Sequence, residues 1–130
     1  MPGFLLDTNT IIDYLEGLLP VDMLDTLDEI INQKANISVI SKLELLGWYQ
    51  ASPEDLIKPF AFVQDANVIN LDDVVVSKTI SLRQVYKIKL PDAIVAATAM
   101  VFNLVLISSN ISDFKNIEGL QILNPRIVEN

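Results

Sequence analysis

Histidine and cysteine are both absent from this chain of 130 residues. Without cysteine there are no disulfides and no thiolate zinc sites. Without histidine there is no serine triad, no imidazole general base and no imidazole metal ligand. Any catalysis must therefore run on carboxylates, hydroxyls, amides, lysine or arginine. Basic residues are scarce as well: 9 Lys and Arg stand against 17 Asp and Glu, for a net charge of -8. That balance disfavours broad nucleic-acid binding driven by phosphate neutralisation. It leaves room for a local basic rim, for a cation that reverses the charge of an acidic cleft, or for a basic protein partner. Long apolar runs are missing too. The longest, residues 93–107, contains Thr98 and Asn103 and falls short of the ~20 apolar residues a spanning helix needs. It reads as a buried helix, a turn at Asn103 and a strand. The start, Met1-Pro2-Gly3-Phe4, lacks the cationic opening of a signal peptide. The expectation is a cytoplasmic protein with no membrane association.

Apolar residues make up 51% of the chain, which argues against disorder. A chain of this size can bury roughly two-thirds of its unfolded surface, and residues 1–130 read as a single domain. Residues 4–6 form an apolar strand that ends abruptly in Asp7. A helix over 10–16 places Ile11, Ile12 and Leu15 on one face, and Gly17 stops it. A second helix over 21–33 turns Met23, Leu24, Leu27, Ile30 and Ile31 inward, with Asp22, Asp25, Asp28 and Glu29 on a solvated face. Residues 36–39 read as a strand. Ser41 and Glu44 have capping-box spacing at the start of the next helix. Ser52-Pro53-Glu54 opens another helix to about residue 63, which Pro59 should kink or interrupt. A strand over 68–70 leads to a helix capped by Asp72 or Asp73 and reaching about residue 86. Pro91 begins an alanine-rich helix over 92–102. A strand over 104–107, a polar loop over 108–113 and a strand over 120–123 follow, and Pro125 ends the ordered core. Strands alternate with helices throughout, which predicts an α/β fold with a mainly parallel sheet of about five strands.

The acids fall at telling places. Asp7 ends the first strand, Glu44 lies in the first turn after the second, Asp92 follows Pro91, and Asn110 and Asp113 share the loop after the fourth strand. Each position is a strand end or a helix N-terminus, so all can meet on the carboxyl rim of the sheet, where open α/β sheets bind ligands. Each has a plainer reading. Asp92 can serve the helix dipole, Glu44 a capping box, and Asp113 a turn. Asp7 has no routine structural job directly after an apolar strand. Gathered carboxylates repel one another, and a hard cation such as Mg²⁺ or Mn²⁺ resolves the conflict. Two such ions about 4 Å apart can activate water and stabilise a leaving oxygen in phosphodiester cleavage; the sequence leaves the number of ions open.

Four stretches carry a resemblance: Leu5-Leu6-Asp7-Thr8-Asn9; Ser41-Lys42-Leu43-Glu44-Leu45; Leu90-Pro91-Asp92 running into Ala93-Ile94-Val95-Ala96-Ala97-Thr98-Ala99; and Ile107-Ser108-Ser109-Asn110-Ile111-Ser112-Asp113-Phe114. In order and spacing the chain resembles the PIN-domain ribonucleases, most closely the VapC-type toxins of toxin–antitoxin pairs. The resemblance implies a three-layer α/β/α sandwich and a Mg²⁺- or Mn²⁺-dependent endoribonuclease that leaves a 5′-phosphate. Asp7, Glu44 and Asp92 match the family acids. Asn110 stands where many relatives carry an acid, and Asp113 supplies that charge. Asp7, Asp92 and Asp113 would hold the cation, Asn110 would ligate through its amide oxygen or a water, and Glu44 would bind the cation or orient the attacking water. Thr8 or Asn9 would position the first acid or a bound water. Ser108 and Ser109 replace a basic residue common in relatives. Arg83 and Lys87, spaced i, i+4 on one helix face, and Lys89 before Asp92 would grip RNA phosphates. The family further implies homodimerisation and a cognate antitoxin, with Trp48 and Tyr49 as contact candidates, although Trp48 equally suits the monomer core.

Other classes compete. Asp7-Thr8-Asn9-Thr10 faintly matches the nucleophile loop of haloacid-dehalogenase-like phosphatases, but Asn9 stands where that family needs a second Asp. A receiver domain lacks its acidic pair. A catalytically impaired PIN-like module that binds RNA or protein is the third reading, because of Asn110.

Overall fold

The computed structural model describes residues 3–127. Five short strands, β1 (Phe4–Leu6), β2 (Asn36–Ser38), β3 (Asn67–Ile69), β4 (Val105–Ile107) and β5 (Ile122–Leu123), form one sheet in the order β3-β2-β1-β4-β5. All four pairings are parallel. Between and around them lie α1 (Thr8–Leu15), α2 (Val21–Asn32), α3 (Val39–Leu46), α4 (Ile57–Asp65), α5 (Asp73–Val85), α6 (Leu90–Val101) and α7 (Ile111–Phe114).

Strand neighbours point to opposite faces, and the core divides accordingly. Leu6, Ile37 and Ile107 pack with Ile11 of α1, Met23 and Leu27 of α2, Leu45 of α3, and Phe62 and Val63 of α4. Leu5 and Leu106 pack on the other face with Val75 and Leu82 of α5, the alanines of α6, and Phe114 of α7. Both faces of the sheet are therefore covered, as an all-parallel sheet requires, and the result is the expected three-layer sandwich. In α6 every residue from Ala93 to Ala99 is buried.

The strand order positions the site. After β1 the chain passes to β2 on one side; after β4 it passes to β5 on the other. The crevice between such diverging connections, outside the carboxyl ends of β1 and β4, is the switch point of an open sheet. In register, Leu6 lies opposite Ile107, so Asp7 and Ser108 emerge together.

Several boundaries differ from the sequence reading, each for a local reason. Helix α1 begins at Thr8 because the Asp7 carboxylate caps it, accepting from Thr10 N at 2.8 Å. Asp7 thus does have a structural job. Gly17, at φ +70, closes α1 as expected. Helix α3 begins at Val39, capped by Ser38, whose hydroxyl accepts from Ile40 N. Ser41 is consequently buried inside the helix and the Ser41–Glu44 capping box does not form. Ser52 and Asp55 do exchange reciprocal hydrogen bonds, but they close a turn, and α4 starts only at Ile57. Pro59 then sits in the first turn, where no intrahelical N–H is lost and no kink is needed. The polar loop after β4 contains a helical turn, α7. Order continues past Pro125, which is fully buried, to Arg126, whose guanidinium pairs with the buried Asp13 at 2.7 Å.

Candidate active site

The carboxylate at the end of β1 is held on all sides. Asp7 N donates to Ile107 O at 3.2 Å, extending the strand pairing by one residue. One carboxylate oxygen accepts from Thr10 N and the other from the Ser108 hydroxyl. Ser108 is itself fixed: its N–H donates to Leu123 O at 3.0 Å, and its Oγ accepts from Asn110 N at 3.0 Å. Thr10 Oγ1 ties α1 to β4 by donating to Ile107 O at 2.9 Å. Asp7 is only 7% exposed. Burial pushes its carboxyl above the usual aspartate range, the hydrogen bonds from Ser108 and Thr10 pull it back, and the charge of Asp13 adds to the rise.

Facing Asp7 is Glu44 of α3. The Thr8 hydroxyl lies 2.6 Å from Glu44 Oε1 and 3.1 Å from the Ser41 hydroxyl. From the other face of the sheet comes Asp92, in the first turn of α6 behind Pro91, where the helix N-terminus favours negative charge. Partial burial raises its pKa. The charges of Asp113 and Glu44 raise it further, and Lys89 opposes them. Asn110, just before α7, donates from Nδ2 to Asp113 Oδ2 at 2.7 Å. Asp7, Thr8, Asn9, Glu44, Pro91, Asp92, Val95, Asn110 and Phe114 line one small cleft of about 100 Å³. Asp113 accepts from Asn110 and raises the Asp92 pKa both through its charge and through a side-chain hydrogen bond.

The fold thus brings Asp7, Thr8, Asn9, Glu44, Asp92 and Asn110 to one place, with Asp113 and Lys89 at its edge. It does not bring Arg83 or Lys87 there. Helix α5 ends at Val85 and Tyr86 is extended, so Lys87 lies in the connection to α6 and shares no helix face with Arg83. Arg83 Nε donates instead to Ile88 O at 3.4 Å, and both basic residues border a separate groove with Tyr86 and Leu90. Trp48 is 49% exposed, outside the core. Sequence reasoning missed Ser108, Thr10 and Ser41 as supports of the site. The signal was available for Ser108: a hydroxyl directly after an apolar strand is the same pattern that singled out Asp7.

Among the described residues no three acidic groups draw together into a ready-made metal cage. The donor set nevertheless suits a hydrated hard cation. It is made of oxygen ligands alone, Asp7 and Asp92 are both pushed up in pKa by their surroundings, and the cleft has room for a cation that keeps waters of its own. Mg²⁺ typically binds through one or two carboxylates and retains several waters.

The sequence profile of the PIN domain matches residues 4–120. Among solved structures, a toxin–antitoxin complex from Klebsiella pneumoniae is similar at 30% identity and a TM-score of 0.76, over 97% of this chain and 100% of that one. A VapBC complex from Rickettsia felis bound to promoter DNA superposes at a TM-score of 0.79 with 22% identity, over 93% and 97% of the two chains. The DNA-bound VapBC of Salmonella typhimurium does so at 0.78 with 24% identity, over 95% and 98%. No curated protein matches significantly.

Proposed function

The chain belongs to the PIN-domain family, and from that premise we propose that it is the toxin of a toxin–antitoxin pair, an endoribonuclease that hydrolyses RNA phosphodiester bonds with Mg²⁺ or Mn²⁺. The observation that carries this reading is the convergence of Asp7, Glu44, Asp92 and Asn110 on one cleft at the switch point of the sheet.

Asp7 and Asp92 would hold the cation, with Asp113 and Asn110 completing its surroundings directly or through water. When bound, a divalent cation supplies Lewis acidity toward the phosphoryl oxygens and a water of lowered pKa. Glu44, fixed opposite Asp7, orients the attacking water and takes up its proton. Asp7 is held by donors that need not reorganise during the reaction, which favours preorganised catalysis. Asn9 is exposed at the cleft mouth and faces incoming RNA. Lys89 adds the positive charge nearest Asp92 and contacts a flanking phosphate. Attack by water at phosphorus with departure of the 3′-oxygen leaves a 5′-phosphate on the downstream product.

Two surfaces fit the partners this reading requires. An apolar groove lined by Ile12, Leu15, Leu45, Trp48, Ile57 and Pro59 adjoins the cleft, with Glu44 in both walls. A segment of the cognate antitoxin seated there would lie against the catalytic carboxylates. Helix α5 presents Val74, Val76, Ile80 and Val85 outward, a patch suited to a second copy of the chain. No described helix is long and apolar enough to cross a membrane; a toxin that cuts cellular RNA would act in the cytoplasm.

Inducible expression of the wild type and Asp7→Asn, with cleaved RNA ends mapped, tests the proposal. The wild type arrests growth and yields 5′-phosphate ends, and the variant does neither. Equal toxicity of the two proteins overturns it.

A further inference from the structure

Glu44 is on the exposed side of α3, and a glutamate there would ordinarily sample several rotamers, yet one hydroxyl fixes it. Thr8 Oγ1 sits 2.6 Å from Glu44 Oε1 and 3.1 Å from Ser41 Oγ. A threonine hydroxyl has one proton to give. The ionised carboxylate is acceptor-only and is the nearer partner, so the Thr8 proton goes to Glu44. Ser41, which is fully buried, then donates to Thr8. The two hydroxyls form a directed relay, Ser41 to Thr8 to Glu44, running from the interior of α3 across to the first residue of α1 and back to the carboxylate. Both ends are anchored. Thr8 follows Asp7, whose backbone and side chain are pinned to β4 and α1, and Ser41 stands one helical turn before Glu44.

We propose that Thr8 is a positioning residue for Glu44, and that Ser41 directs the Thr8 hydroxyl toward it. This deepens the ribonuclease reading and rests on it. The neighbouring Asp7 has its own partners in Thr10 and Ser108, so Thr8 serves the acid on the opposite wall of the cleft rather than the one beside it. A charge-assisted hydrogen bond of this kind fixes orientation as well as distance, and partners one layer behind a metal ligand typically change metal affinity or activity by about 10- to 100-fold.

The test uses the full chain and four variants. Thr8→Val keeps the shape and removes the hydroxyl. Thr8→Ser keeps the hydroxyl. Ser41→Ala removes the donor behind it, and the double variant Thr8→Val/Ser41→Ala leaves no buried hydroxyl unpartnered. Three quantities are measured: Mn²⁺ affinity by calorimetry, single-turnover RNA cleavage at saturating Mn²⁺, and the Glu44 side-chain position in metal-free crystals. Thr8→Val should lower cleavage about tenfold or more and weaken Mn²⁺ binding, with RNA affinity unchanged, and Glu44 should leave its single position. Thr8→Ser should recover most of both losses, and Ser41→Ala should show a smaller deficit of the same kind. The double variant should regain stability without regaining activity. Glu44 staying in place in metal-free Thr8→Val, or Thr8→Ser failing as badly as Thr8→Val, overturns the relay. A wild type that neither cleaves RNA nor binds Mn²⁺ overturns the ribonuclease reading instead, and the metal-free crystals still decide the relay.

Discussion

The two walls of the cleft hold their acids by opposite means. On the β1 wall, Asp7 is buried and both oxygens accept hydrogen bonds from groups fixed by the sheet. On the α6 wall, Asp92 is half-buried and flanked by the like charges of Asp113 and Glu44, which Lys89 and the N-terminus of α6 offset. Both carboxyls titrate above the usual range, chiefly through burial, but the balance behind each differs. For Asp7, fixed donors work against burial. For Asp92, neighbouring acids work with it. One wall is built into the fold; the other is held against repulsion and gains most from a cation.

The largest expected effect follows from the first wall. Asp7→Ala removes a metal-facing acid, the cap of α1, and the acceptor of the buried Ser108 hydroxyl. Cleavage should be abolished and stability should fall by about 2 kcal/mol, combining a lost cap with a stranded buried donor. Asp7→Asn still offers an oxygen to Thr10 N, so the cap of α1 is kept, and its amide can donate to the free lone pair of Ser108, which leaves the Ser108 proton as the one lost bond. It should lose cleavage equally but less than about 1 kcal/mol of stability. Chemical denaturation beside an RNA cleavage assay separates the two. If Asp7→Ala is as stable as wild type, the fold does not depend on this wall and the contrast collapses.

A second, smaller effect probes the link between Asn110 and Asp113. Asn110→Ala frees Asp113 from its 2.7 Å partner while leaving every carboxylate in place. Cleavage should drop about tenfold, as for other residues one layer behind a metal site, with the midpoint of unfolding nearly unchanged because the pair is exposed. A drop matched by Asp113→Asn, with no further loss in the double variant, identifies the two as one functional unit. Additive losses separate them.

The walls also differ in how far the sequence exposes them. The α/β class was legible because both sheet faces are buried, so strands read as short apolar runs and helices as periodic ones. Gly17 marked a helix end, and of Asp72 and Asp73, both open as caps in the sequence, Asp72 caps α5; a left-handed residue and a side-chain cap are local requirements. Asp7 and Asp92 were legible as acids at element ends; Glu44, expected in a first turn, lies well inside α3, which starts at Val39. What stayed hidden depends on contacts distant in sequence. Whether Ser38 or Ser41 caps α3 is decided by where β2 leaves the sheet, and that choice moves Ser41 inside and makes it a support for the site. The end of α5 at Val85 depends on the turn into α6 against Ile88, and it removes Lys87 from the helix. The place of Ser108 directly after an apolar strand was legible, but its partner was not: the bond to Asp7 requires the register of β4 against β1, a long-range pairing.

The smallest effect concerns pH in the metal-free protein, and its sign follows from the second wall. Asp92 has a folded pKa raised above its unfolded one, so the folded state binds its proton more tightly. Stability then falls as pH rises from the ordinary aspartate value, about 3.9, through the raised folded value, and levels off above it. Asp92→Asn removes that slope. The stability of the variant relative to wild type should therefore increase across this window by a few tenths of a kcal/mol, roughly, since Asp92 is only partly buried and solvent screens its neighbours. Denaturation curves in chelator at several pH values measure the difference. Adding Mg²⁺ at neutral pH should reverse it, because the wild type regains stability by binding the ion with both walls intact and the variant, with one wall neutralised, gains less. A difference that stays flat with pH would mean that Asp92 is no more strained than an ordinary surface acid, and that the two walls are alike after all.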